Sequence, residues 1–194
     1  MIPLWIKVAY TLMVATIVPV YFVHYGALNF LWFSDIALIV TGIALWDENR
    51  LLASMMAVAV LLPEALWNIS FFARLLGGVR VSGLADYMFD GAIPLWIRGL
   101  SLFHIPMPLA LLWMLHTLGY DSRALPAQTA LAWVVFPVTY VLSDPKDNIN
   151  WVFGPGPRPQ RRLPPRVYLA LLLIVFPLIV YVPTHVLLRV LFGR

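Results

Sequence analysis

The sequence predicts an all-α fold, a polytopic membrane helix bundle of about six transmembrane helices forming one domain over residues 1–194. Three observations carry that prediction. Of the 194 residues, 62% are hydrophobic and only 11% are charged, against roughly a quarter charged in soluble domains. Six apolar segments run at about 4–23, 27–46, 51–72, 93–116, 127–142 and 167–191, and a helix of about 20 residues crosses the hydrocarbon core of a bilayer. Within these segments the few polar residues recur at helical spacing, so each helix can turn them inward.

The first segment carries Lys7, but Val23-His24-Tyr25 offers no small-x-small cleavage site, so it is expected to stay as a span. A tight His24-Tyr25-Gly26 turn leads into the second segment. There Leu31, Ser34, Asp35, Leu38, Thr41 and Gly42 share one stripe, expected to pack inward, while Phe33, Ile36, Val40 and Ile43 share the lipid-facing one. On the third segment Ser54, Ala57, Leu61, Glu64 and Asn68 follow a 3-4-3-4 spacing. On the fourth, Arg98, Ser101 and His104 share a broad face. Prolines at 19, 63, 106, 108, 137, 177 and 183 should kink the other helices. Only segment 27–46 has no interior proline, which predicts a straight central helix with bent ones around it.

Two connections are more than turns. Residues 77–92, with Arg80, Asp86 and Asp90, are expected to hold a short interfacial helix. Residues 144–166 form the longest loop, whose Pro- and Arg-rich second half should be extended. Its Arg158, Arg161, Arg162 and Arg166 are expected to lie on anionic lipid headgroups. With six spans, seven basic residues (Arg74, Arg80, Lys146 and those four) fall on the side of this loop. Five (Lys7, Arg50, Arg123, Arg189 and Arg194) fall on the other, so the loop is expected on the cytoplasmic side of a cell or inner membrane.

The net charge of +4 is concentrated in that loop, which points to a membrane surface rather than nucleic acid. Cysteine is absent, which excludes disulfides, thiol nucleophiles and iron–sulfur clusters. No HxxxH or HxxE spacing predicts a metal site, and no motif calls for a cofactor.

Polar residues at membrane depth mark the candidate centre. Counting about 1.5 Å per residue from the span midpoints, Ser34, Asp35 and Glu64 lie within about 4 Å of the midplane. His104 lies almost on it, and Arg98 and Asn68 lie about 10 Å toward one face. Each is costly in lipid, so each is expected to face the protein interior or water. One arrangement pairs Glu64 with Arg98 as a structural ion pair, with His104 a satisfied core histidine. The other is chemical: Ser34 as nucleophile, His104 as base, and Asp35 or Glu64 to orient the base. Arg98 and Asn68 would then meet the headgroup or the developing oxyanion. His24, His116 and His185 are expected to be interfacial or structural.

The stretch Asn29-Phe-Leu-Trp-Phe-Ser34-Asp35 resembles the nucleophile-helix motif of a six-helix superfamily of intramembrane lipid enzymes. That superfamily includes bacterial integral membrane proteins, an acyltransferase acting on ether phospholipids and the androgen-induced-type lipid hydrolases. Its members use a Cys or Thr nucleophile on an early helix and a His on a later one. The resemblance places Ser34 as nucleophile and His104 as its partner, with Trp32 beside the substrate. Asn148-Ile-Asn150-Trp151-Val-Phe153 resembles an Asn-aromatic stretch of the family's last loop. Ser34 replaces the usual Cys or Thr, Trp32 a frequent His, and Phe30 a usual Pro. The expected function is an intramembrane lipid hydrolase or acyltransferase with membrane lipids as partners. The alternatives are a non-catalytic lipid-binding or assembly subunit and a small proton-coupled transporter using Asp35 and Glu64. No protein partner is indicated by the sequence.

Overall fold

Proline, asparagine and glycine punctuate the apolar runs where helices begin and end. Pro3, Pro94 and Pro164 precede first turns, the Asn49 side chain accepts the Leu52 amide at 3.0 Å, and Gly26, Gly78 and Gly119 follow last turns. The computed structural model describes residues 1–156 and 158–193, leaving Arg194 of the basic count outside the described residues. Its helices are α1 (Leu4–Tyr25), α2 (Phe33–Asp47), α3 (Arg50–Gly77), α4 (Leu95–Leu100), α5 (Pro106–Leu118), α6 (Ala124–Leu142), α7 (Pro165–Phe176) and α8 (Val182–Phe192). A 3-10 turn, Ser101–His104, joins α4 to α5, and a π turn, Pro177–Tyr181, joins α7 to α8. Among the described residues, five helices (α1, α3, α4–α5, α6 and α7–α8) are long and apolar enough to cross a membrane. This is a multi-pass, all-helical membrane architecture. Its outer surface is apolar, with Ile69, Trp133, Val141, Ile174, Ile179 and Val190 exposed.

Hydrogen bonds fix which turns share an end. At one end Glu48 accepts from the Ile2 amide and from Lys7, at 3.0 and 2.9 Å. There too the Asp121 amide donates to Ser54 Oγ at 2.9 Å, and the Tyr120 amide to the Phe192 carbonyl at 2.9 Å. At the opposite end the 148–156 loop meets the start of α2. Successive helices therefore run in alternating directions. The central helix is α3, packed against α2, α5, α6 and α8 through the buried Ala53, Ala57 and Ala59. Small side chains let backbones approach closely without a polar cost.

This corrects the expected straight central helix at 27–46. That segment is broken: a 3-10 turn covers Ala27–Leu31, Trp32 is extended (φ −59, ψ 133), and α2 starts only at Phe33. The physical reason lies across the bundle. Asn150 donates to the Leu31 carbonyl at 2.6 Å and accepts the Phe33 amide at 3.0 Å, so backbone groups freed by the break stay satisfied. Phe33 is consequently buried, edge-on to Phe136, and does not face lipid. Asp35, Leu38 and Thr41 are buried as the spacing implied.

Two prolines act as expected, freeing carbonyls that neighbours then satisfy. Pro177 cannot donate to Leu173, whose carbonyl takes the Trp133 indole at 2.9 Å. Pro108 cannot donate to His104, with consequences for the site. The connection after α3 holds a short 3-10 turn, Asp86–Phe89, tied down by Arg74 to Asp86 at 2.7 Å. The Pro- and Arg-rich segment is not extended throughout. It folds back so that the Gln160 amide reaches the Phe153 carbonyl at 2.9 Å. Only glycine fits at 154, because a Cβ there would collide with the Gln160 backbone.

One consequence is testable at the turn after α5. Hydrogen bonds from the Arg123 side chain hold the Asp121 carboxyl below the usual carboxylate range. A depressed folded pKa adds stability that is complete above the unfolded value, about 3.9, and is lost as pH falls through the folded one. Asp121→Asn is expected to flatten the acid limb of a Tm-against-pH curve below about pH 4 while leaving the neutral limb parallel. Parallel acid limbs in both proteins would remove this role.

Candidate functional site

The centre is built on the middle of α3 and the turn before α5. Because residue 108 is proline, the His104 carbonyl has no helical donor. Asn68, one turn beyond Glu64 on α3, supplies one: its Nδ2 donates to the His104 carbonyl at 2.8 Å and to the Glu64 carbonyl at 2.9 Å. This clamp sets the imidazole against Glu64. The His104 Nδ1 lies 2.9 and 2.8 Å from the two Glu64 carboxylate oxygens. Glu64 is 3% exposed and His104 9%. The ring stacks on Trp67 and on Phe103, with centroids 4.5 and 4.2 Å away. A carboxylate facing Nδ1 calls for the proton on that nitrogen, which leaves the lone pair on Nε2. Nε2 has no hydrogen-bond partner among the described residues.

Ser34 and Asp35 stand in the first turn of α2, not at a helix middle. First-turn amides have no acceptor within their own helix. The Phe33 amide is used by Asn150, whereas the Ser34 and Asp35 amides make no hydrogen bond among the described residues. Ser34 is half-buried and its hydroxyl is likewise unbonded to protein. Asp35 is buried; one carboxylate oxygen accepts from Asn29 at 3.1 Å and the other has no partner. Trp32 is the half-buried residue capping this turn, its carbonyl accepting the Ile36 amide at 3.0 Å.

The expected Glu64–Arg98 ion pair is not formed. Arg98 donates from Nη1 to the Met88 carbonyl at 2.8 Å, its Nε is buried without a partner, and no carboxylate lies within salt-bridge distance among the described residues. Glu64 is satisfied by His104 instead, which sits six residues on from Arg98, beyond the end of α4. The structure thus brings together Glu64, Asn68 and His104. It places no hydrogen bond between Ser34 and His104. Among the described residues no group of three or more metal-ligating side chains converges.

Two contributors escaped the reading of the helices by stripes. Tyr21 ties α1 to the turn before α5 through its hydroxyl, 2.6 Å from Ser101 Oγ. Asn150 caps α2 from 117 residues away. The resemblance pointed to the Asn150 stretch, but no local pattern shows what it caps. His185 pairs with the Tyr120 hydroxyl at 2.6 Å, a structural contact at the other end. Comparison with family models, curated proteins and solved structures returns no match to this chain.

Proposed function

We propose that this membrane protein is an intramembrane lipid hydrolase or acyltransferase in which His104, oriented by Glu64, is the general base and Ser34 the nucleophile. The observation that carries the reading is the buried carboxylate–imidazole pair with the second ring nitrogen free. A third group holding the base in one tautomer is the recurring arrangement for activating a hydroxyl. Ser34 Oγ would attack the carbonyl carbon of a lipid ester while its proton passes to His104 Nε2. The imidazolium then returns that proton to the departing alcohol. Water, or a second hydroxyl, attacks the acyl-serine by the same route in reverse. The free amides of Ser34 and Asp35 point along the axis of α2 and would receive the oxyanion. Catalytic contacts are often open before substrate arrives, which accommodates the missing Ser34–His104 bond.

The basic strap supports the lipid side of this reading. Arg158, Arg161, Arg162 and Arg166 are all exposed and make no salt bridge among the described residues, which suits anionic headgroups. A non-catalytic lipid-binding or assembly subunit is the second reading, and the unbonded Ser34 favours it.

Labelling with a lipid-tailed fluorophosphonate separates the two. Ser34 is expected to be modified in the wild type and unmodified in His104→Gln. Ser34→Ala should abolish labelling at a stability cost of about 1 kcal/mol or less, since its hydroxyl makes no bond here. Labelling that persists in Ser34→Ala, or none in any variant, would leave the subunit reading.

A further inference from the structure

Two adjoining apolar hollows, both largely open to the outside, run along the bundle between α1 and the α4–α5 helix. The first, of about 570 Å³, is bounded by Ile17, Gly99 and Phe103. The second, of about 390 Å³, continues from the shared Met13 and Pro106 to Trp5 and Trp113. Those two indoles approach to a centroid distance of 6.3 Å and close the far end. From Trp5 to Ile17 is 12 residues of α1, about 18 Å of groove. Arg98 immediately precedes Gly99, which lines the near end, and does not itself line either hollow. Its guanidinium has a single hydrogen bond, to a carbonyl, and no carboxylate partner among the described residues. Phe103 is shared: it walls the groove and stacks on His104.

We propose that this groove is a lateral binding site for one acyl chain of a phosphate-bearing lipid, with the phosphate at Arg98 and the chain end at Trp5 and Trp113. A planar guanidinium with unspent donors matches a phosphate better than any neutral headgroup. The lipid's carbonyl region then lies beside Phe103, one ring from the imidazole. This names the substrate class for the centre above and rests on that reading for its purpose, though binding itself is measured without turnover.

Gly99 makes the groove testable. Gly99 lines the groove and an added Cβ there meets nothing within 4 Å, so the position accepts a side chain at its root. The probe is a lysophosphatidic acid bearing a diazirine at its chain end, incorporated with full-length protein in phosphatidylcholine nanodiscs. A monoacylglycerol with the same chain serves as the phosphate-free control. Cross-links are expected around Trp5, Leu109 and Trp113. They should weaken about tenfold in Arg98→Gln and with the control, as for one lost charge-assisted contact. Gly99→Phe should abolish them, which covers the case of Arg98→Gln failing to fold. Labelling must persist in His104→Gln, so that loss of activity and loss of binding are told apart. Labels spread equally over α6 and α7–α8, equal labelling by both probes, or an unchanged Gly99→Phe would overturn the proposal. So would a protein–protein cross-link across the groove, which would show a second copy as its occupant.

Discussion

Glu64→Leu is expected to destabilise the protein by about 3–5 kcal/mol, the cost of removing one partner from a buried pair. His104 would lose the acceptor for Nδ1 while staying sealed between Trp67 and Phe103. His104→Leu should cost a similar amount by stranding the carboxylate. Both together should cost much less than the sum, because packed apolar side chains often replace such pairs with little loss. Reversible unfolding in mixed micelles measures this cycle, and a coupling near zero would mean that the pair contributes nothing. The conservative changes ask the chemical question. Glu64→Gln keeps a hydrogen-bond acceptor for Nδ1 yet removes the charge that supports an imidazolium. His104→Gln removes the base. Each is expected to lower ester turnover by about 10²–10⁴, the usual worth of a positioned general base. The double variant should fall no further, since groups acting as a unit are not additive. A strong stability coupling without turnover of any lipid ester would retain the pair as architecture and set the enzyme aside.

Asn150→Leu is expected to cost about 2–5 kcal/mol, because it leaves the Phe33 amide and the Leu31 carbonyl without partners in a buried place. The residue itself sits at φ +51, with Asn148 and Trp151 also at positive φ. Left-handed backbone is disfavoured for most side chains by about 1–2 kcal/mol, and asparagine tolerates it better than most. That supplies a second comparison. Asn150→Gly relieves the backbone while deleting both bonds, whereas Asn150→Ala deletes them and keeps a Cβ. Alanine should therefore be worse than glycine by about 1 kcal/mol. Hydrogen exchange at the Phe33 and Ile36 amides should rise in both, since this loop closes the first turn of α2. Wild-type exchange in those variants would mean that something else holds the turn.

Much of the bundle was legible from local chemistry. Hydropathy marked the crossings, prolines 108 and 177 announced freed carbonyls, and the Ser54–Asn68 spacing put Glu64 on the buried face of α3. Each depends on one residue's own backbone or on neighbours one helical turn away. Pairing across helices was not legible in that way. Depth alone allowed Glu64 to meet Arg98 or His104, and only packing decided for His104, because Asn68 answers the carbonyl that Pro108 leaves bare.

The amino-acid pattern by itself determined a membrane-crossing helical bundle with Glu64 and Asp35 turned inward, since burying apolar area and sheltering charge are settled helix by helix. Only the tertiary structure decided that residue 32 breaks its helix and that Ser34 lies in a first turn with free amides. Nothing local predicts that break, which contains neither glycine nor proline. It persists because Asn150, distant in sequence, supplies both the donor and the acceptor that a broken backbone needs within a bilayer.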